Sequence, residues 1–148
     1  MDNLIESIER NLRMSDFIIR KKGRSILKNY DISPAQFRTL QVIINHGDEM
    51  TLSELSEVME LSCSTVTESL KRMEKLGLVE RKKDEKDARF IRISVLPKGH
   101  EILDEVLKIR REYLKKVLQA LTPEEHQNLA DNLEKLSDEL KKTKSDFM

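Results

Sequence analysis

A mainly α-helical protein carrying one small β-hairpin is predicted by three features of the sequence. Apolar residues recur at helical spacing through most of the chain, interrupted by only four glycines and three prolines. Helix-start residues stand at Ser33, Thr51, Ser62 and Thr122, with stop signals at Gly47 and Gly77. One stretch alone alternates with period two: Ile91, Ile93 and Val95 separated by Arg92 and Ser94.

The first helix is predicted from Leu4, Ile5, Ile8 and Leu12 through Phe17, Ile18, Ile19, Ile26 and Leu27, with Gly23 weakening it midway. Ser33 caps the second, and Pro34 fits its first turn because an amide there has no partner to lose. That helix turns Phe37, Leu40, Ile43 and Ile44 inward and ends at Gly47. Thr51-Leu-Ser-Glu54 reads as a capping box opening a short helix with Leu52, Leu55, Val58 and Met59 inward. After only Glu60 and Leu61, Ser62 caps a fourth helix, whose inner face is Val66, Leu70, Met73 and Leu76 and whose left-handed terminus is Gly77.

Leu78–Lys83 and Phe90–Val95 then read as two strands joined by a charged tip, the first the less apolar. Pro97 and Gly99 lead into a second long helix, marked by Ile102, Leu103, Val106, Leu107, Tyr113, Leu114, Val117, Leu118 and Leu121. Thr122-Pro-Glu-Glu125 starts the last helix, where Leu129, Leu133, Leu136 and Leu140 form a narrow seam that calls for a partner helix. The polar end from Lys141 onward is expected to fray.

At 148 residues the chain has room for one domain, or one small lobe with helical extensions. A mixture that is 36% charged and 38% hydrophobic excludes a membrane protein and wholesale disorder. No apolar run approaches the roughly 18 residues of a spanning helix, and Met1-Asp-Asn begins no signal peptide, so a cytoplasmic location is expected. The lone Cys63 excludes an intrachain disulfide or a Cys-rich zinc site. The 27 basic and 27 acidic residues balance, but unevenly. Residues 33–70 hold one basic and six acidic side chains, whereas 71–92 hold nine basic and five acidic ones. A basic stripe binds an anion even when the sum is zero.

Two short helices joined by a tight turn, then a basic hairpin, is the order of a winged helix-turn-helix. The second helix of the pair would read DNA through Ser62, Ser64, Thr65, Thr67, Glu68, Lys71 and Arg72, small hydroxyl residues letting its N-terminal end sit deep in a major groove. Ser64, Thr65 and Glu68 are candidates for base edges, while Lys71 and Arg72 lie nearer the phosphates and Lys82 and Lys83 extend the basic stripe.

Thr51-Leu-Ser-Glu-Leu, Leu61-Ser-Cys-Ser-Thr-Val-Thr67, Met73-Glu-Lys-Leu-Gly-Leu-Val-Glu-Arg81, Asp87-Ala-Arg89 and Leu96-Pro-Lys-Gly99 together resemble the MarR family of bacterial transcription regulators. By motif the resemblance spans residues 33–99, and by helix order the whole chain. It implies a homodimer with interdigitated first and last helices, a wing arginine entering the minor groove (Arg89 by position) and an acid that orients it (Asp87). It also implies a pocket between the dimer helices and the DNA-binding lobe for a small aromatic or other hydrophobic effector. Two positions depart from the pattern: Glu68 stands where a neutral or basic residue is common, and Leu96 where a capping threonine is usual.

The expected organisation is therefore a helical dimerisation region at 1–32 and 99–148 around a DNA-binding lobe at 33–98. Terminal helices this long cannot bury their apolar faces on a lobe of roughly 65 residues, which also argues for an intertwined dimer. The partners expected are double-stranded DNA, a second copy and the effector; no cofactor, membrane or catalytic site is implied. Cys63, at the start of the reader helix, is either a candidate redox residue or an incidental small one. His46, His100 and His126 lack metal-ligand spacing. The competing reading is a winged-helix protein-interaction module, in which Lys71, Arg72, Lys75, Arg81, Lys82 and Lys83 are only a solvated face and Asp87 and Arg89 a surface ion pair.

Overall fold

The computed structural model describes residues 1–143, which form six α-helices and a three-stranded antiparallel sheet. In order these are α1 (Asp2–Lys28), α2 (Pro34–Asn45), β1 (Glu49–Thr51), α3 (Leu52–Met59), α4 (Cys63–Lys75), β2 (Val79–Lys83), β3 (Ile91–Val95), α5 (Pro97–Val117), a 3-10 turn (Leu118–Ala120) and α6 (Pro123–Thr143). Two compact units result, Met1–Arg110 and the residues from Arg111 on. No described helix is long and apolar enough to cross a membrane. Lys141, Lys142 and Thr143 complete α6, and the remainder of the segment expected to fray lies outside the described residues.

The core of the first unit is where the helical and alternating patterns converge. Leu40 and Ile43 of α2, Leu55 of α3, Leu70 and Met73 of α4, and Ile93 of β3 are completely buried. Each such side chain contributes about 1.5–3 kcal/mol by leaving water. Ile44, Leu52, Val58 and Leu76 pack against this core while half-buried.

The expected hairpin is part of a larger sheet. Strand β3 lies between β2 and β1, pairing Arg81 with Ile93 on one side and Met50 with Ile93 on the other. Strand β1 escapes the sequence pattern because it is three residues long and reaches its partner some forty positions away. It also alters the box at Thr51. The Thr51 hydroxyl accepts the Glu54 amide at 3.1 Å, but Thr51 pairs with Arg92 across the sheet and the reciprocal Glu54 contact is not made. Complete boxes form instead at Ser33/Gln36 and at Thr122/Glu125. The strands are shorter than expected by Leu78 and Phe90, and the long helix tightens into the 3-10 turn before Leu121.

Helix α4 ends as its sequence dictates. Gly77 takes φ +75°, allowing the Leu78 amide to reach back to the Met73 carbonyl at 3.0 Å. Helix α3 uses the same motif with Glu60 in place of glycine, at φ 57°, and the Leu61 amide donates to Ser56 O at 3.1 Å. That tight reversal is the turn of the helix-turn-helix. Pro97 opens α5 without a threonine before it, the Leu96 carbonyl accepting from the Gly99 and His100 amides.

Much of α1 keeps its apolar face exposed, with Ile8 at 47% and Phe17 at 62%, while Ile26 and Leu27 anchor its end in the core. In the second unit Leu129, Leu133 and Leu140 of α6 are likewise exposed. There the His126 ring donates to the Leu118 carbonyl, fixing the turn before α6.

Candidate nucleic-acid interface

Helix α4 is seated by Val66, Leu70 and Met73, so residues at helical spacing on the opposite side face outward. Ser64, Thr65, Glu68, Lys71 and Arg72 form that exposed stripe. Thr67, expected with them, is half-buried on its flank. Ser62 is the cap: its hydroxyl accepts the Thr65 amide at 3.2 Å and lies 2.8 Å from Thr65 Oγ1 and 3.1 Å from Ser64 Oγ. This network fixes three small hydroxyl residues at the tip of the helix, where nothing bulky obstructs a groove. Lys71 Nζ lies 3.5 Å from Glu68 Oε1. Cys63 is exposed in the first turn.

The wing is closed by the Asp84 amide donating to Phe90 O and the Phe90 amide donating to Asp87 O, at 2.9 and 3.0 Å. Within it Arg89 folds back on Asp87. Arg89 Nε donates to Oδ1 at 3.0 Å, Nη2 to Oδ2 at 2.8 Å, and the Arg89 amide adds a third bond to Oδ1 at 3.0 Å. The guanidinium, then the amide, hold the Asp87 carboxyl below its ordinary value. Even so the Arg89 side chain is 86% exposed, presenting its outer edge to solvent. A two-point contact restricts the rotamers of a long side chain, so Arg89 is preset in direction without being buried.

Two further pairs position the wing. Arg81 of β2 binds Glu74 of α4, both half-buried. Arg92 of β3 reaches Asp84 at 3.2 Å and Glu49 of β1 at 3.7 Å. Sequence spacing did not reveal either, since each partner is brought close only by sheet register and helix packing. Lys82 and Lys83 are exposed at the end of β2, with Lys82 Nζ 3.3 Å from Glu80. A cleft of about 360 Å³ opens between α4 and the wing, lined by Glu74, Arg81, Lys83, Ala88, Arg89 and Ile91. The lobe therefore offers a polar helix face and a cationic hairpin side by side, the arrangement that suits a duplex. Among the described residues no group of three or more His, Cys, Asp or Glu side chains is placed to hold a metal ion.

Fold and interface together define a DNA-binding transcriptional regulator of the winged helix-turn-helix class. The sequence profile of the MarR family matches residues 30–89, from just after α1 to Arg89 in the wing. The HTH-type transcriptional regulator YsmB of Bacillus subtilis is 45% identical over 138 residues, covering 93% of this chain and 94% of YsmB. The HTH-type transcriptional repressor MdtR of the same organism is 31% identical over 124 residues, covering 84% of this chain and 79% of MdtR. A solved MarR family protein from Bacillus stearothermophilus shares the fold with a TM-score of 0.86 at 38% identity, covering 95% of this chain and 98% of that one. The chain belongs to the MarR family. Its relatives are transcriptional regulators, not enzymes.

Proposed function

We propose that the protein is an effector-responsive repressor that occupies a pseudo-palindromic operator as a homodimer. Residues 33–98 would be its DNA-binding lobe and residues 1–32 and 99–148 its dimerisation region. The observation that carries this reading is the exposed α4 stripe beside a wing arginine preset by Asp87. Ser64, Thr65 and Glu68 then meet base edges, Lys71, Arg72, Lys82 and Lys83 neutralise phosphates, and Arg89 enters the minor groove. Exposed apolar faces on α1 and α6 support a second copy as partner, and the name of MdtR supports repression.

A cleft of about 170 Å³ in the first unit is lined by Ile19, Arg24, Leu27, Phe37, Val106 and Arg110. Its apolar walls and the three guanidinium groups of Arg20, Arg24 and Arg110 suit a small aromatic or other hydrophobic acid. Two readers must enter grooves about 34 Å apart, so an effector that alters lobe spacing abolishes simultaneous docking. The test is selection from a random duplex pool followed by footprinting. An inverted repeat with half-sites about one helical turn apart is expected. Protection of a single half-site, or none, overturns the reading.

A further inference from the structure

The centre of the outward stripe of α4 is an acid. Glu68 lies two residues from both Val66 and Leu70, a rotation of about 200° from each, and so faces directly away from the buried side. Ser64 and Thr65 lie one turn before it, and Lys71 and Arg72 one turn after. A helix that enters a major groove with this stripe leading brings Glu68 to the bases. No other carboxylate shares the position, because Glu74 is turned aside and bound by Arg81.

Surrounded by phosphates, a carboxylate is tolerated only where it finds donors. Guanine shows two acceptors in the major groove and thymine an acceptor and a methyl group. Adenine offers a donor beside an acceptor that repels the second carboxylate oxygen. Cytosine offers its amino group alone. Resting on the DNA-binding reading above, we infer that Glu68 is a specificity-determining residue that selects cytosine at one position of each half-site. Lys71 Nζ lies 3.5 Å from the carboxylate, so the stripe carries no uncompensated negative charge.

The experiment is enrichment of a random duplex pool by wild type, Glu68→Gln and Glu68→Ala, each first shown by circular dichroism to be folded. The wild type is expected to enrich one cytosine per half-site by at least about fivefold over other bases. Glu68→Gln should exchange that cytosine for adenine, which a carboxamide reads through N6 and N7, and Glu68→Ala should lose the preference there while other positions stay fixed. A consensus that both variants reproduce unchanged overturns the assignment of Glu68 alone. A pool from which the wild type enriches nothing overturns the DNA-binding reading, and this inference with it.

Discussion

Arg81 on β2 and Glu74 on α4 form an ion pair, with only 25% and 31% of their side chains exposed, that joins the wing to the reader helix. In the proposed complex those two elements address adjacent grooves of one duplex, so their separation matters as much as the groups they carry. A charged hydrogen bond shielded from water is worth more than a surface pair. Glu74→Gln is expected to cost about 1–2 kcal/mol of stability in urea denaturation. It should also weaken operator binding without changing the salt slope, since no phosphate contact is lost. A steeper or shallower slope in the variant would mean that Arg81 contacts DNA directly.

The Asp87–Arg89 contact makes a separate statement about pH. Because the folded-state pKa of Asp87 is depressed, the contact stabilises the wing above the ordinary Asp value and is lost as pH falls through the depressed one. Carbon-detected NMR of the Asp87 carboxyl should therefore give a midpoint below the ordinary Asp value, moving back up in Arg89→Ala. Titration at or above the ordinary value would show that the clamp does not form in solution. On DNA, Arg89→Ala should weaken operator binding by about 1–3 kcal/mol and relax preference at an A·T-rich flank, and Asp87→Ala should show part of that loss. Lys71→Ala should instead weaken all sequences alike and lower the salt slope by about one.

What the sequence made legible was local. Caps at Ser33, Thr51, Ser62 and Thr122 and the stop at Gly77 all depend on contacts within a few residues, and they stand where their residue types place them. The α4 stripe followed from periodicity, whereas the Asp87–Arg89 pairing came with the resemblance to a family. Strand β1, the Glu74–Arg81 and Arg92–Asp84 pairs and the packing role of Gly99 were not legible. Each is created by segments meeting across the sheet, and Met50 is the single apolar residue that β1 supplies to a pattern.

Glu60 occupies a left-handed conformation, φ 57° and ψ 40°, where a side chain costs about 1–2 kcal/mol. Glycine removes that strain but adds freedom to the unfolded chain, which returns roughly 0.5–1 kcal/mol. The first effect wins narrowly. Glu60→Gly is expected to raise stability by up to about 1 kcal/mol, read as a higher urea midpoint at constant m. A lower midpoint would show that the Glu60 side chain contributes more than its backbone costs.

Gly99 reverses the usual expectation for a glycine within a helix. A Cβ there would stand 2.6 Å from the Leu78 carbonyl oxygen and 2.7 Å from Val95 Cγ1, where α5 crosses the sheet end. Backbone cannot yield as a flexible side chain does. Gly99→Ala should therefore lose about 1–3 kcal/mol by overpacking, exceeding the helix-propensity gain of about 1 kcal/mol. Gly23, in α1 with open space around its missing Cβ, supplies the control: Gly23→Ala should gain about 1 kcal/mol. Equal responses at the two positions would contradict the packing seen at Gly99.

The proposed dimer is tested most sharply on α6. Leu133 is 48% exposed in the single chain, and Leu129 and Leu140 continue its seam in both directions. A partner helix covering that seam would remove Leu133 from water, so a carboxylate introduced there would be buried without a hydrogen-bonding partner, at a cost of several kcal/mol. Left uncovered, the same carboxylate would cost almost nothing. Leu133→Asp is thus expected to convert a dimer at micromolar concentration into a monomer by sedimentation velocity, and to abolish the footprint of the second half-site. Leu133→Ala, which removes apolar area without adding charge, should weaken the dimer by a smaller amount and keeps the test informative if the aspartate variant aggregates. A Leu133→Asp protein that still sediments as a dimer would place the interface elsewhere and leave α6 without its assigned role.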